Sequence, residues 1–314
     1  MIAKTICISQ PAYLSLAKGQ LVIRLPEVEK ADIPEGMKES LIVKRPIEDL
    51  DLLVLDNKQI TITQGLLTAL VENNTAVITC DNRNMPSGLL YPLVGNCIQE
   101  ERYEYQIELS QARKDLAWRL VVERKVKNQA KVLELCDCEN YRALEEYCKS
   151  VKDGDRTNIE ARAASVYWKS LFKDTAYPDF TRSRDGNPPN NLLNYGYAII
   201  RALVAKALIS TGLLPTLGIH HKNRYNPFCL ADDMMEPYRP YVDSLVYEIV
   251  ADGSESIYEI TTELKRRLLT LPSVSVIIGN RKTSILQATS QTAASLLSFL
   301  KNERNDIELP IITE

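Results

Sequence analysis

The hydrophobic period of this chain changes once, and that change fixes most of what it can fold into. Up to about residue 86, apolar residues alternate or run in short β-branched blocks: TICIS at 5–9, AYLSLAKGQLVIRL at 12–25, LIVK at 41–44, LLVL at 52–55, ITIT at 60–63 and AVITC at 76–80. A period of two puts apolar side chains on one face of a pleated strand, so these blocks predict a small sheet domain, with Lys18-Gly19-Gln20 turning a hairpin. One helix is expected among them, because Leu66, Leu67, Leu70 and Val71 recur at helical spacing before Asn73-Asn74. From about residue 100 the period becomes 3.6. Leu109, Leu116, Leu120 and Val121 share a face that continues through Lys131, and further helical runs cover 141–151, 158–172, 192–209, 241–251, 257–269 and 284–300. The expected fold is α+β: a β domain over 1–95 and a nearly all-α domain over 96–314, divided where Pro86, Gly88, Pro92 and Gly95 thin out both periods.

A length of 314 residues suits one or two such domains. A formal charge of -3 and a pI near 5.7 argue against a uniformly basic nucleic-acid binder, so any such surface is local. The seven cysteines are an odd number without a CxxC pair, which reads as a reduced, cytoplasmic protein. The two histidines are adjacent, His220 and His221, too few for a Cys-His zinc cage. Polar residues interrupt every early apolar run, so no signal peptide is expected, and no stretch is read as a membrane span.

Chemistry concentrates in two places. In GIHHKNRYNPFCLADDMMEPYRP, from Gly218 to Pro240, Asp233 and Glu236 are three apart and would share one side of a helix, which Pro237 starts or kinks. A solvated helix N-terminus with Asp232 and Asp233 on its dipole explains the same residues. Near 158–172, Glu160 falls on a stripe with Ala163, Ala164, Tyr167 and Leu171. A carboxylate there is costly to bury without a cation, unless Arg156 or Arg162 pairs with it at the edge. Together the two stretches offer one imidazole and two or three carboxylates, the donor set of Mg²⁺ or Mn²⁺ phosphate chemistry. Between 102 and 131, eight basic residues against four acidic ones leave a net +4, with Lys114, Arg124, Lys125 and Lys131 placed either to track a phosphate backbone or to form a solvated face. The polar segment 174–191 carries three prolines, Arg182 and Arg184. Such a length reads as a functional or mobile loop, and if the two helices it joins pack beside a metal site acting on DNA, its middle at 182–187 is expected to order over the bound strand.

These motifs resemble the CRISPR-associated integrase family, CRISPR-associated protein one, over nearly the whole chain. KRPIEDLDLLVLDNKQITIT and LLTALVENNTAVITCDNRNMPSG are similar to the family's small domain, and KVKNQAKVL, IEARAASVYW, PPNNLLNYGYAIIRALVAKAL and GIHH through EPYRP follow its helical motifs in order. The resemblance implies an integrase that joins 3′-hydroxyls of short foreign DNA fragments to CRISPR repeat ends by transesterification. It also implies a Mg²⁺ or Mn²⁺ triad that carries over to Glu160, His221 and Glu236, with Asp233 as a further acidic position near the metal. The implied partners are a second copy joined through the small domain, a small ferredoxin-like companion subunit, double-stranded DNA fragments and repeat DNA, with no membrane. Ala161 and Ser165 depart from the family's usual Gly and basic residue. The GIHH and EPYRP forms look most like versions from systems with one large RNA-guided effector nuclease, the type II form. Two other readings fit the donor set: a stand-alone metal nuclease acting on branched DNA in repair, and a catalytically inactive DNA-holding scaffold.

Overall fold

Strand pairing accounts for most of the order before residue 95. The computed structural model describes residues 4–184 and 186–313, and the chain divides into one unit ending at Val94 and a second beginning at Gly95. In the first unit, β1 (Lys4–Ile8), β2 (Ala12–Ala17), β3 (Gln20–Arg24), helices α1 (Pro26–Lys30) and α2 (Glu35–Ser40), β4 (Val43–Pro46), β5 (Leu50–Leu55), β6 (Ile60–Ile62), α3 (Gln64–Glu72), β7 (Ala76–Cys80) and β8 (Pro86–Leu90) follow in order. They form two four-stranded sheets, β1-β5-β7-β8 and β4-β3-β2-β6. The β2–β3 hairpin turns at Lys18-Gly19, both with positive φ, the conformation a two-residue hairpin turn requires. Leu14, Leu21 and Ile23 from one sheet, Ile8, Leu53 and Val77 from the other, and Leu66 and Leu70 of α3 share a single core. Helices α1 and α2 bury no residue, so no apolar period marks them in the sequence. Strand β8 lies in the stretch whose prolines and glycines read as a boundary; it pairs antiparallel with β7.

Among its described residues, the regular structure of the second unit is helical apart from one hairpin. It comprises α4 (Gln99–Ile107), α5 (Gln111–Leu135), α6 (Tyr141–Lys149), α7 (Ile159–Leu171), α8 (Asn190–Ser210), α9 (Cys229–Met235), α10 (Arg239–Asp252), α11 (Thr262–Leu268), β9 (Ser275–Ile278), β10 (Arg281–Ser284) and α12 (Ile285–Leu300). The hairpin departs from the expected all-α unit, because strands of four residues flanked by helical runs carry too short an alternation to register. Leu109 lies outside the helix it was expected to share with Leu116, since Ser110 starts α5 by accepting the Arg113 N–H at 3.3 Å.

Helix α8 is the centre of this unit, with Leu193, Tyr195, Ile199, Ile200 and Leu203 fully buried. By length and hydropathy it could cross a membrane, contrary to the sequence expectation, but 78% of its most apolar stretch is covered by the rest of the protein. It ends where the Leu213 N–H reaches Leu208 O and the Gly212 N–H reaches Ile209 O, both at 2.8 Å, with Gly212 at φ +75°, a Schellman stop.

The C-terminal segment is tied in by one side chain. Asn128, buried on α5, donates to Pro237 O at 2.9 Å and Pro310 O at 3.0 Å, and accepts from the Ile312 N–H at 3.3 Å. Asn128→Ala leaves these groups buried and unpaired, so it should destabilise the protein by about 2 kcal/mol. Hydrogen exchange should then rise at 309–313 and at the Glu236–Tyr238 turn; unchanged exchange at both would show that other contacts hold them.

Candidate active site

Glu160 enters the site from the first turn of α7. Its position is set by Asp155, whose carboxylate accepts the Ile159 N–H at 2.8 Å and the Glu160 N–H at 2.9 Å. Asn158, at the cap position itself, is left-handed with φ 54° and makes no side-chain cap. The aspartate three residues upstream therefore satisfies the donors that a helix start leaves open.

His221 is held by a second aspartate. Asp233, fully buried on α9, accepts the backbone N–H groups of Ile219 (2.6 Å), His220 (3.0 Å) and His221 (3.1 Å), and His221 Nδ1 at 2.6 Å. A carboxylate only accepts, so Nδ1 carries the proton and Nε2 is the ring nitrogen left to bind a ligand. That hydrogen bond raises the His221 pKa above its ordinary value, against the opposing effect of burial. Gly218 makes the turn possible: a Cβ there would collide with His221 O and stand 2.9 Å from the Cys229 Cβ. His220 lies flat on Trp118 of α5, ring centres 4.1 Å apart and planes 2° from parallel, while its neighbour His221 meets the same indole edge-on.

Glu236 sits where α9 stops and a 3₁₀ turn, Glu236–Tyr238, leads into α10. Pro237 thus marks a kink between two helices, as its place in the sequence suggests. The buried carboxylate has Arg239 3.0 Å from Oε1 and Lys125 Nζ 2.6 Å from Oε2. The same Lys125 ammonium donates to Glu160 Oε1 at 2.6 Å. Burial pushes the Glu236 pKa up, but Arg239 and Lys125 together hold it below the ordinary glutamate value. For Lys125, burial acts downward and the two glutamates more than reverse it.

Glu160 and Glu236 therefore face one cationic point, and His221 is near enough that both carboxylates help raise its pKa. Among the described residues no three or more His, Cys, Asp or Glu side chains close into a ligand shell, and the lysine ammonium stands between the two glutamates. The donors nonetheless suit a hard divalent ion: two carboxylates that converge, an imidazole with Nδ1 already fixed, and a buried Glu236 Oε2 that touches Lys125 without hydrogen-bond geometry.

The basic residues are less uniform than an outward phosphate-tracking helix requires. Lys125 is buried in the site. Arg124 is half-buried near Cys148, Tyr241 and Glu123, Lys131 pairs with Glu134 at 2.9 Å, and Lys114 is half-buried. Helical spacing puts all four on one side of α5, but that side meets the rest of the unit at Lys125 and is paired or half-covered at the others. Arg182 donates to Asn190 Oδ1 at 2.9 Å and Asn194 Oδ1 at 2.6 Å and lies over the Tyr197 ring; Arg184 is exposed. Of the loop middle expected to order over DNA, Asp185 lies outside the described residues. Sequence reading missed Asp155, Arg239 and Trp118. The i,i+3 spacing of Glu236 and Arg239 was a usable signal for one of them; Asp155 and Trp118 act across the fold or a loop and leave no periodic trace.

Behind the site, Asp243 of α10 is fully buried and accepts the hydroxyls of Tyr167, at 3.0 Å, and Tyr197. Burial pushes its pKa up to about 7, with the two hydroxyls, Arg239 and Arg182 opposing. The folded protein then holds this proton more tightly than the unfolded chain, whose aspartates titrate near 3.8. Its stabilising contribution is full at the lower value and is lost as pH rises through the upper one. The Tm of the wild type relative to Asp243→Asn should fall across that window; a constant difference would show that Asp243 does not titrate there.

The model of the family described as CRISPR associated protein Cas1 matches residues 6–270. The CRISPR-associated endonuclease Cas1 of Neisseria meningitidis serogroup C is 31% identical over 99% of this chain and 97% of its own. Among solved structures, a casposase bound to integration product superposes with TM-score 0.77 at 19% identity, covering 98% of this chain and 92% of that one. A CAS1 protein from Thermotoga maritima gives 0.73 at 16% identity, over 99% and 100%. A chain of a Cas6-RT-Cas1–Cas2 complex gives 0.70 at 17% identity, over 96% of this chain and 35% of that one. At these identities the structural likenesses establish the same α+β fold, and the full-length sequence match carries the relationship further: the chain belongs to the Cas1 family of CRISPR-associated proteins.

Proposed function

We propose that this protein is a DNA integrase of CRISPR adaptation, in which the 3′-hydroxyl of a short DNA fragment attacks the phosphodiester at the edge of a repeat. The observation that carries this reading is the convergence of Glu160 and Glu236 on one cationic position beside an imidazole oriented by Asp233. Glu160, Glu236 and His221 Nε2 would hold Mg²⁺ or Mn²⁺, with Asp233 supporting the histidine instead of binding the ion. When bound, such an ion neutralises charge on the phosphodiester and lowers the pKa of the attacking hydroxyl.

The protein's own residues prepare the site. Asp155 fixes the turn that delivers Glu160, Asp233 fixes the ring of His221, and Arg239 keeps the Glu236 carboxylate charged despite burial. Buried Trp118 packs flat against His220 and edge-on against His221, bracing both rings from α5. Transesterification conserves the number of phosphodiester bonds, so neither ATP nor a protein nucleophile is needed. The casposase neighbour and the companion-bearing complex support DNA ends as substrate and a small second subunit as partner. The small β unit is our candidate for contact with a second copy.

Glu160→Gln, His221→Ala and Glu236→Gln should each nearly abolish strand joining into a repeat plasmid in Mn²⁺. Glu236→Gln leaves buried Lys125 and half-buried Arg239 with half their counter-charge, so circular dichroism must establish that each variant folds. Joining that survives EDTA would contradict the reading, and degradation of fragments without joining would favour the repair nuclease. Lys131→Glu and Arg184→Glu should weaken DNA binding without regard to sequence and lower its salt slope by roughly 0.9 for each phosphate no longer neutralised. An unchanged slope would leave these residues as a solvated face.

A further inference from the structure

Lys125 is an unusual occupant for the middle of a cation site. Its ammonium lies 2.6 Å from Glu160 Oε1 and 2.6 Å from Glu236 Oε2, and the lysine is buried. The position between the two carboxylates is the one a divalent ion would need. Two cations cannot share it: at such separations like charges repel by several kcal/mol even at an effective dielectric near 20. Resting on the metal reading above, we infer that Lys125 is a built-in counter-ion that a divalent metal must displace, so that loading the metal and freeing the ammonium are one event.

Three features support a lysine that leaves. Glu236 keeps a second cation, Arg239 at 3.0 Å from its other oxygen, so it is not stranded when Lys125 withdraws. Glu160 is partly exposed, so its end of the contact opens toward solvent. The contact to Glu236 Oε2 is made at ion-pair distance without hydrogen-bond geometry, so that oxygen keeps its hydrogen-bonding capacity unused. A long, flexible four-carbon stem allows the ammonium to swing while its helix stays fixed.

The consequence is a coupling between metal and DNA. Once displaced, the ammonium is left without an anion in a buried place, and a DNA phosphate beside the metal is the ligand whose charge would receive it. DNA should therefore tighten metal binding, and metal should tighten DNA binding by the same factor. Without DNA, the lysine keeps metal affinity low. This would confine the loaded state to protein that already holds its substrate.

The test is calorimetric titration of MnCl₂ into the full-length wild type, Lys125→Met and Glu160→Gln, with and without a short DNA duplex. Lys125→Met should bind Mn²⁺ at least about tenfold more tightly than wild type without DNA. The duplex should tighten Mn²⁺ binding to wild type and leave Lys125→Met unchanged. Equal or weaker binding by Lys125→Met, with Glu160→Gln abolishing binding, overturns the counter-ion role and leaves the metal site standing. Binding indifferent to Glu160→Gln overturns the metal site and this inference with it. If Lys125→Met does not fold, acetic anhydride labelling of wild type decides the matter: Lys125 should become more reactive on addition of Mn²⁺, and unchanged reactivity contradicts displacement.

Discussion

Four charges, two buried and two half-buried, meet at one point of the helical unit, and the geometry around them depends on their balance. Glu160 and Glu236 share Lys125, and Glu236 also holds Arg239. Each charge would be costly to bury alone, and removing one partner of such a set leaves an uncompensated charge worth about 3–5 kcal/mol. The set does not make the fold stable in itself, since apolar residues of the same volume could pack as well. What it does is bring α5, α7 and the α9–α10 kink to one point, since each of these elements contributes a charge to the set.

The charges are placed by a surrounding layer of polar contacts. Asp155 caps α7, Asp233 ties together three backbone N–H groups and an imidazole, and Asn128 holds both the turn after Glu236 and the C-terminal segment. Asp155 acts within its own turn, whereas Asp233 and Asn128 link groups distant in sequence. The result is a site built on helices and supported behind by the Asp243–Tyr167–Tyr197 cluster, with both Arg239 and Arg182 over the Tyr197 ring. An arrangement held this closely keeps ligands in place before an ion or substrate arrives.

How far the sequence disclosed this depended on the range of each interaction. The sheet unit and the long helices were legible because their apolar periods persist over many residues, as in Leu192–Ile209. The hairpin of β9 and β10 and the two unburied helices were not, being too short or too polar to repeat. In the site, the acidic and histidine residues stood out because carboxylates beside apolar or small residues demand a partner. The partner itself did not. Lys125 reads as one of eight basic residues on a charged helix, and nothing in KVKNQ tells which of its neighbours points inward. Charge composition reports how many cations a segment carries, whereas burial of one of them is decided by helices that arrive later in the chain.

Whether Glu160, His221 and Glu236 form one divalent-ion site is tested most directly by an anomalous difference map from crystals of the protein grown with Mn²⁺. A single peak is expected within bonding distance of one oxygen from each glutamate and of His221 Nε2, with the Lys125 ammonium moved away from the carboxylates. A map with no peak there, and Lys125 still bridging Glu160 and Glu236, would contradict it.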